Sequence, residues 1–151
     1  MSNDFDFLHG EWNVANRLLA KRLVGSDDWR EFQGESSCHG FFDGAGSFDE
    51  ISLPARGFSG SSYRMFNPAT KEWAIYWVDS RTGVLQPPVF GSFEGGIGTF
   101  YGDDEHEGTP VRVRYLWSKI TPSSARWEQA FSVDNGQTWE TNWVMEFTRK
   151  A

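Results

Sequence analysis

Val111-Arg112-Val113-Arg114-Tyr115-Leu116-Trp117-Ser118, Ala125-Arg126-Trp127-Glu128-Gln129-Ala130-Phe131-Ser132 and Trp139-Glu140-Thr141-Asn142-Trp143-Val144-Met145-Glu146-Phe147 follow one another in the last third of the chain. In each stretch, apolar or aromatic residues alternate with charged or small ones. Successive side chains of an extended strand point to opposite faces, so a period of two makes these three amphipathic β-strands. One face collects Val111, Val113, Tyr115, Trp117, Ala125, Trp127, Gln129 and Phe131, and from the third strand Trp139, Thr141, Trp143, Met145 and Phe147. So much aromatic surface has to be covered by another part of the same chain.

Upstream the same signals recur. Gly10 to Lys21 reads as a first long strand, with Trp12, Val14, Asn16 and Leu18 on one face. Trp29 to His39, Gly46 to Leu53, Phe58 to Phe66 and Trp73 to Asp79 follow, then the short runs Val89 to Phe93 and Gly98 to Gly102. Turns are marked by Pro54-Ala55-Arg56-Gly57, Asn67-Pro68-Ala69-Thr70, Thr121-Pro122-Ser123-Ser124 and Val133-Asp134-Asn135-Gly136. Only Asn3 to Leu8 offers a turn or two of helix. The chain is therefore expected to be all-β, one domain over residues 1–151, with about ten consecutive strands linked as hairpins. A meander of that length has an edge problem. Closure into an antiparallel up-and-down barrel removes it, with a two-sheet sandwich as the alternative.

Composition narrows the function classes. The net charge of −7 disfavours nucleic acid or an anionic membrane as a partner, and the fourteen Lys and Arg are dispersed, with Lys21-Arg22 a small pair. Cys38 is the single cysteine, so no internal disulfide can form. The first residues lack a positive segment followed by an apolar one, and no run approaches a membrane span of about 18 apolar residues. A cytoplasmic protein is expected.

Phe5-Asp6-Phe7-Leu8-His9-Gly10-Glu11-Trp12 is similar to the opening of a lipocalin or calycin domain, in which Gly-x-Trp heads the first strand after a short helical turn. Trp73 to Asp79, Gly91-Ser92-Phe93, Ser132 to Trp139 and Trp143 extend the likeness over nearly the whole chain. Together they resemble a bacterial lipocalin-like family with no established activity to carry over. The resemblance implies that Trp12 closes one barrel end beneath a basic residue of the last strand, Arg149 first and Arg126 second.

Several motifs invite sharper readings. Ser132-x-Asp134-x-Gly136-x-Thr138-Trp139 matches the Asp-box of sialidase-type propellers, but a single copy cannot build a propeller and reads as a hairpin device. Asp103-Asp104-Glu105-His106-Glu107 lacks the ligand spacing of a calcium loop and reads as a solvated hairpin tip within an acidic loop, Asp103 to Pro110. His9, His39 and His106 form no spaced pair, so no metal site is expected. No cofactor is expected either; His39 is the histidine best placed for a haem in a calycin-like barrel. Cys38 and His39, as strand neighbours, point to opposite faces, and Cys38 reads as a buried thiol.

Polar residues on apolar faces carry the functional argument. Asn16, Arg64, Asp79, Tyr115, Gln129 and Thr141 each share a face with aromatic residues. Burying such groups unpaired costs about 1–3 kcal/mol each. They must pair with one another, with water or with a ligand. The expectation is a barrel cavity of about 300 Å³ that binds a small, partly apolar or aromatic molecule, anionic ones included. Trp77, Trp127 and Trp143 would supply stacking surface, while Asn16, Arg64, Asp79, Tyr115, Gln129 and Thr141 would orient the ligand. Arg64 would take an anionic group, and Asp79 or Glu50 would be its partner in an empty site. Two alternatives stay open: an isomerase or hydrolase using Glu50 or Asp79 with Tyr115, and an interaction protein with a filled barrel, a homodimer through Trp29 and Tyr76.

Overall fold

The computed structural model describes residues 2–151 and shows ten antiparallel strands in a closed barrel. They are β1 (Gly10–Leu19), β2 (Trp29–Phe41), β3 (Gly46–Leu53), β4 (Phe58–Asn67), β5 (Glu72–Asp79), β6 (Val89–Glu94), β7 (Ile97–His106), β8 (Thr109–Ser118), β9 (Ser124–Ser132) and β10 (Glu140–Arg149). Each strand pairs with its neighbours in sequence, and β10 returns to β1 with Trp12 opposite Arg149 and Leu18 opposite Trp143. No edge is left unpaired. No helix among the described residues is long and apolar enough to cross a membrane.

Alternation determines what points inward. Trp12, Val14, Asn16 and Leu18 of β1, Phe58, Arg64 and Phe66 of β4, and Trp73, Ile75, Trp77 and Asp79 of β5 share the inner face as their spacing predicts. In β3 the inner set is Ser47, Asp49, Ile51 and Leu53, which leaves Glu50 exposed on the outside.

Two stretches differ from the sequence reading. The acidic segment is not a loop: β7 continues through Asp103–His106, pairs with Thr109–Arg112, and turns at Glu107-Gly108. In β10 a bulge lies between Thr141 and Trp143, with Asn142 as the extra residue. The bulge inverts the strand before it. Glu140 pairs with the inward Phe131, Thr141 with the outward Ala130, and Trp139 packs outside the barrel under Arg114 and beside Tyr101.

The barrel ends differ. At one end the N-terminal segment, with a 3-10 turn at Asp6–Leu8, plugs the opening. Phe5 is buried edge-on against Trp73 and Phe93, at 4.9 and 5.0 Å between ring centroids. The Trp12 indole donates to the Leu8 carbonyl (2.8 Å), and the Arg149 guanidinium lies 4.1 Å above its ring. Arg149 also donates to the carbonyls of Phe7, His9 and Pro122 at 2.9, 2.6 and 3.0 Å. Gly10 explains the Gly-x-Trp spacing: its φ is +116°, and a Cβ there would lie 2.5 Å from Arg149 Nη1. Arg126, the second candidate for this role, is instead on the outer face between Glu128 and Glu146. The opposite end is bordered by the β1–β2, β3–β4, β5–β6, β7–β8 and β9–β10 connections and forms the mouth.

Candidate functional site

Trp77 from β5, Tyr115 from β8, Trp127 from β9 and Trp143 from β10 converge inside the barrel. Trp143 meets Trp77 and Trp127 edge-on at 6.1 and 5.6 Å, and Tyr115 meets Trp127 at 5.1 Å. Offset and edge-on ring pairs are the favoured arrangement, so these walls hold one another in place. Gly60 on β4 makes room for the arrangement, because a Cβ there would fall 1.9 Å from Trp77 Cη2. Below the rings, Ser36, Asp49, Ser62 and Arg64 form a polar floor.

The chamber enclosed by these residues holds about 50 Å³. That is room for a few waters rather than for a ligand, which needs roughly 300 Å³. The expected cavity is therefore not at the barrel centre. Trp77, Tyr115, Gln129 and Trp143 also border a second space of about 260 Å³ toward the mouth, walled further by Asp79, Gln86, Val113 and Phe131. The room for a small molecule lies in this vestibule, with the aromatic residues at its base.

The polar residues are largely committed to one another. Asn16 accepts from the Trp143 indole at 3.0 Å and donates to the Val14 carbonyl at 3.3 Å. Gln129 donates to Asn142 Oδ1 at 2.8 Å, and Asn142 Nδ2 is buried without a partner. Thr141 lines neither space; the bulge carries it to the outer face and places Asn142 next to Gln129 instead.

Arg64 is 3% exposed and ion-paired, but with Asp49 rather than Asp79 or Glu50. It also donates to Ser47 Oγ at 3.2 Å, and its charge lies 5.1 Å from the Phe5 ring. Burial opposes the charge, yet the adjacent Asp49 carboxylate holds the guanidinium protonated and raises its pKa. A guanidinium so engaged is not a free anion receptor. Asp79 lies at the mouth, where Arg81 grips it through Nη2 at 3.0 Å, Nε at 3.3 Å and its backbone N–H at 2.9 Å. The hydrogen bonds from Arg81 push the Asp79 carboxyl below the usual range despite partial desolvation. Tyr115 spans both spaces; burial and the nearby Asp104 charge push its phenol up, so it stays protonated. Acid–base chemistry with Tyr115 calls for a cavity carboxylate with a raised pKa and no cationic neighbour. Asp49 and Asp79 both have arginine neighbours, and Glu50 faces away.

The remaining candidates fall elsewhere. His39 lies exposed on the outer face, 5.4 Å from the Phe48 ring, so it cannot reach a group held inside the barrel. Cys38 is buried on the inner face 3.5 Å from Ser47 Oγ, and burial raises its thiol pKa. Trp29 lies on the outer side of the barrel under Arg17 at 5.0 Å, and Tyr76 pairs with the outward Tyr63. Of the residues that sequence reading missed, Asp49 had a signal: it alternates with Ile51 and Leu53. Arg22 and Arg81 at the mouth had none, because they lie in connections without periodicity.

A closed ten-strand antiparallel barrel of this kind is consistent with a lipocalin/calycin-like fold. Comparison of the chain with protein-family models and with curated proteins returns no match.

Proposed function

We propose that this protein is a lipocalin-like binder of a small, partly aromatic molecule, held in the vestibule with one face against Trp77, Tyr115 and Trp143. A single observation carries the reading: indole and phenol rings gather at the base of a space of about 260 Å³ that opens at one barrel end while the other end is plugged. The rings form the apolar base, and the rim is charged, with Arg22 and Arg81 facing Asp79, Asp104 and Glu105; an aromatic surface with fixed polar groups around it is a common build for a small-molecule site. Asn16 and Gln129 act here as supports that hold Trp143 and Asn142 in position, and Tyr115 offers a protonated hydroxyl to the ligand. Gly10-Glu11-Trp12 and the Arg149 lock support grouping the chain with the bacterial lipocalin-like family it resembles. Native mass spectrometry of protein purified from its own host tests the function. A retained mass of a few hundred daltons, lost when Trp143 is replaced by Ala, is the expected result. A bare polypeptide mass, together with no change in tryptophan emission on adding aromatic compounds, would leave only a filled barrel.

A further inference from the structure

The mouth opens outward into a groove of about 480 Å³ whose charge is opposite to that of the molecule. Lys21 and Arg22 reach it from the β1–β2 connection, Arg30 from the start of β2, Arg56 from the β3–β4 turn and Arg81 from the β5–β6 connection. Five of the fourteen basic residues thus border one groove in a chain of net charge −7, and Glu107 is the only carboxylate among the groove's lining residues. Leu18, Phe58 and Trp143 give it an apolar side, and Trp143 also belongs to the vestibule beneath.

Arg22 is a half-buried cation of this groove, with the Glu140 carboxylate near it but not paired to it. Arg30 is paired with Asp28 at 2.8 Å and Arg81 with Asp79 at 3.0 Å. Arg22 borders both the groove and the vestibule, lies 5.3 Å above the Phe131 ring, and makes no ion pair among the described residues. The nearby Glu140 carboxylate accepts from the Leu23 N–H at 2.7 Å, which ties down the loop carrying Arg22. Asp104 is occupied with the Glu105 N–H at 2.8 Å. Burial, and then repulsion from Arg81, lower the Arg22 pKa. An anion placed between the two guanidinium groups would relieve both.

We infer that the ligand is an organic anion whose carboxylate, sulfonate or phosphate group is received by Arg22 beside Arg81 while its aromatic body enters the vestibule. This rests on the binding function proposed above and moves the anion site from Arg64 to the mouth. Guanidinium groups favour such oxyanions through paired, charge-assisted hydrogen bonds.

Two fluorescent probes with the same kind of aromatic body test it: anilinonaphthalene sulfonate, which is anionic, and N-phenyl-naphthylamine, which is neutral. The native protein is expected to bind the sulfonate about tenfold more tightly than the amine, and to lose most of that preference between about 50 mM and about 500 mM salt. Arg22→Gln should weaken the sulfonate about tenfold and leave the amine within about twofold. Arg17→Gln, on the outer wall, should change neither, and circular dichroism checks that each variant is folded. Equal affinity for the two probes, or a sulfonate affinity indifferent to Arg22→Gln, overturns the anion site while leaving the binding cavity intact. If neither probe binds, the cavity reading falls with it. Attachment to phosphatidylglycerol vesicles without saturable sulfonate binding overturns the inference in favour of a membrane surface.

Discussion

Arg64 and Asp49 show how a single buried pair shapes this barrel. The guanidinium is enclosed by Phe5 and Trp117, and Asp49 supplies the opposite charge while also accepting from the Ser62 N–H at 3.1 Å. Removing one partner leaves a charge with no counter-ion in a low-dielectric interior. Asp49→Ala is therefore expected to cost about 3–5 kcal/mol in urea unfolding. Replacing both partners by apolar residues of similar size, Arg64→Met with Asp49→Leu, should recover most of that loss. If the double variant is no more stable than Asp49→Ala, the pair is not acting as a self-contained unit.

At the scale of elements, the β9–β10 hairpin depends on Asp134. Its carboxylate accepts from the Thr138 hydroxyl at 2.5 Å, the Thr138 N–H at 2.8 Å and the Ser132 hydroxyl at 2.7 Å. The Trp139 indole closes the turn on the Gly136 carbonyl at 3.1 Å. These hydrogen bonds, led by the Thr138 hydroxyl, lower the Asp134 pKa from 3.8 to about 2. A depressed folded-state pKa means the stabilisation is present above the unfolded value and is lost as pH falls through the folded one. Thermal melts should therefore show Asp134→Asn below the parent protein at neutral pH, with the gap closing between about pH 4 and about pH 2. A gap of constant size across that window would mean that the charge of Asp134 is irrelevant to the hairpin. The motif here is a local brace at the mouth, one element long, and this explains its presence in a chain with no propeller.

For the whole molecule, the decisive contact is the one that joins the last strand to the first. Arg149, the last residue of β10, reaches back to the carbonyls of Phe7 and His9 and covers Trp12. It links the last strand, the first strand and the N-terminal plug. Truncation in Arg149→Ala removes charge-assisted hydrogen bonds and a cation–π contact, for a loss of about 2–4 kcal/mol in chemical denaturation. Because this lock lies at the end opposite the mouth, probe binding by the folded variant should match the parent protein. Weakened binding in a fully folded Arg149→Ala would show that the plugged end and the mouth are coupled.

The strands, their number and the inward face of most of them were legible in the sequence, because a period of two is imposed by the backbone itself and each run is long enough to show it. Trp77, Trp127 and Trp143 could be placed inside on that basis, while the match of Trp12 with Arg149 came from the resemblance to lipocalins and not from the pattern. Thr141 could not be placed, since one extra residue at Asn142 reverses a strand face and the cost of that bulge depends on the neighbouring strand. Arg64 was recognisable as inward, but its partner is chosen by the register between β3 and β4, where Asp49 stands opposite Ser62 and Ser47 opposite Arg64. The basic residues looked scattered because they are distant along the chain. Closure of the barrel brings the connections that carry them to the same end, and so creates a positively charged groove beside the mouth that no local pattern encodes. Local periodicity sets which side of a strand is wet; only the closed circuit of pairings decides which wet residues become neighbours.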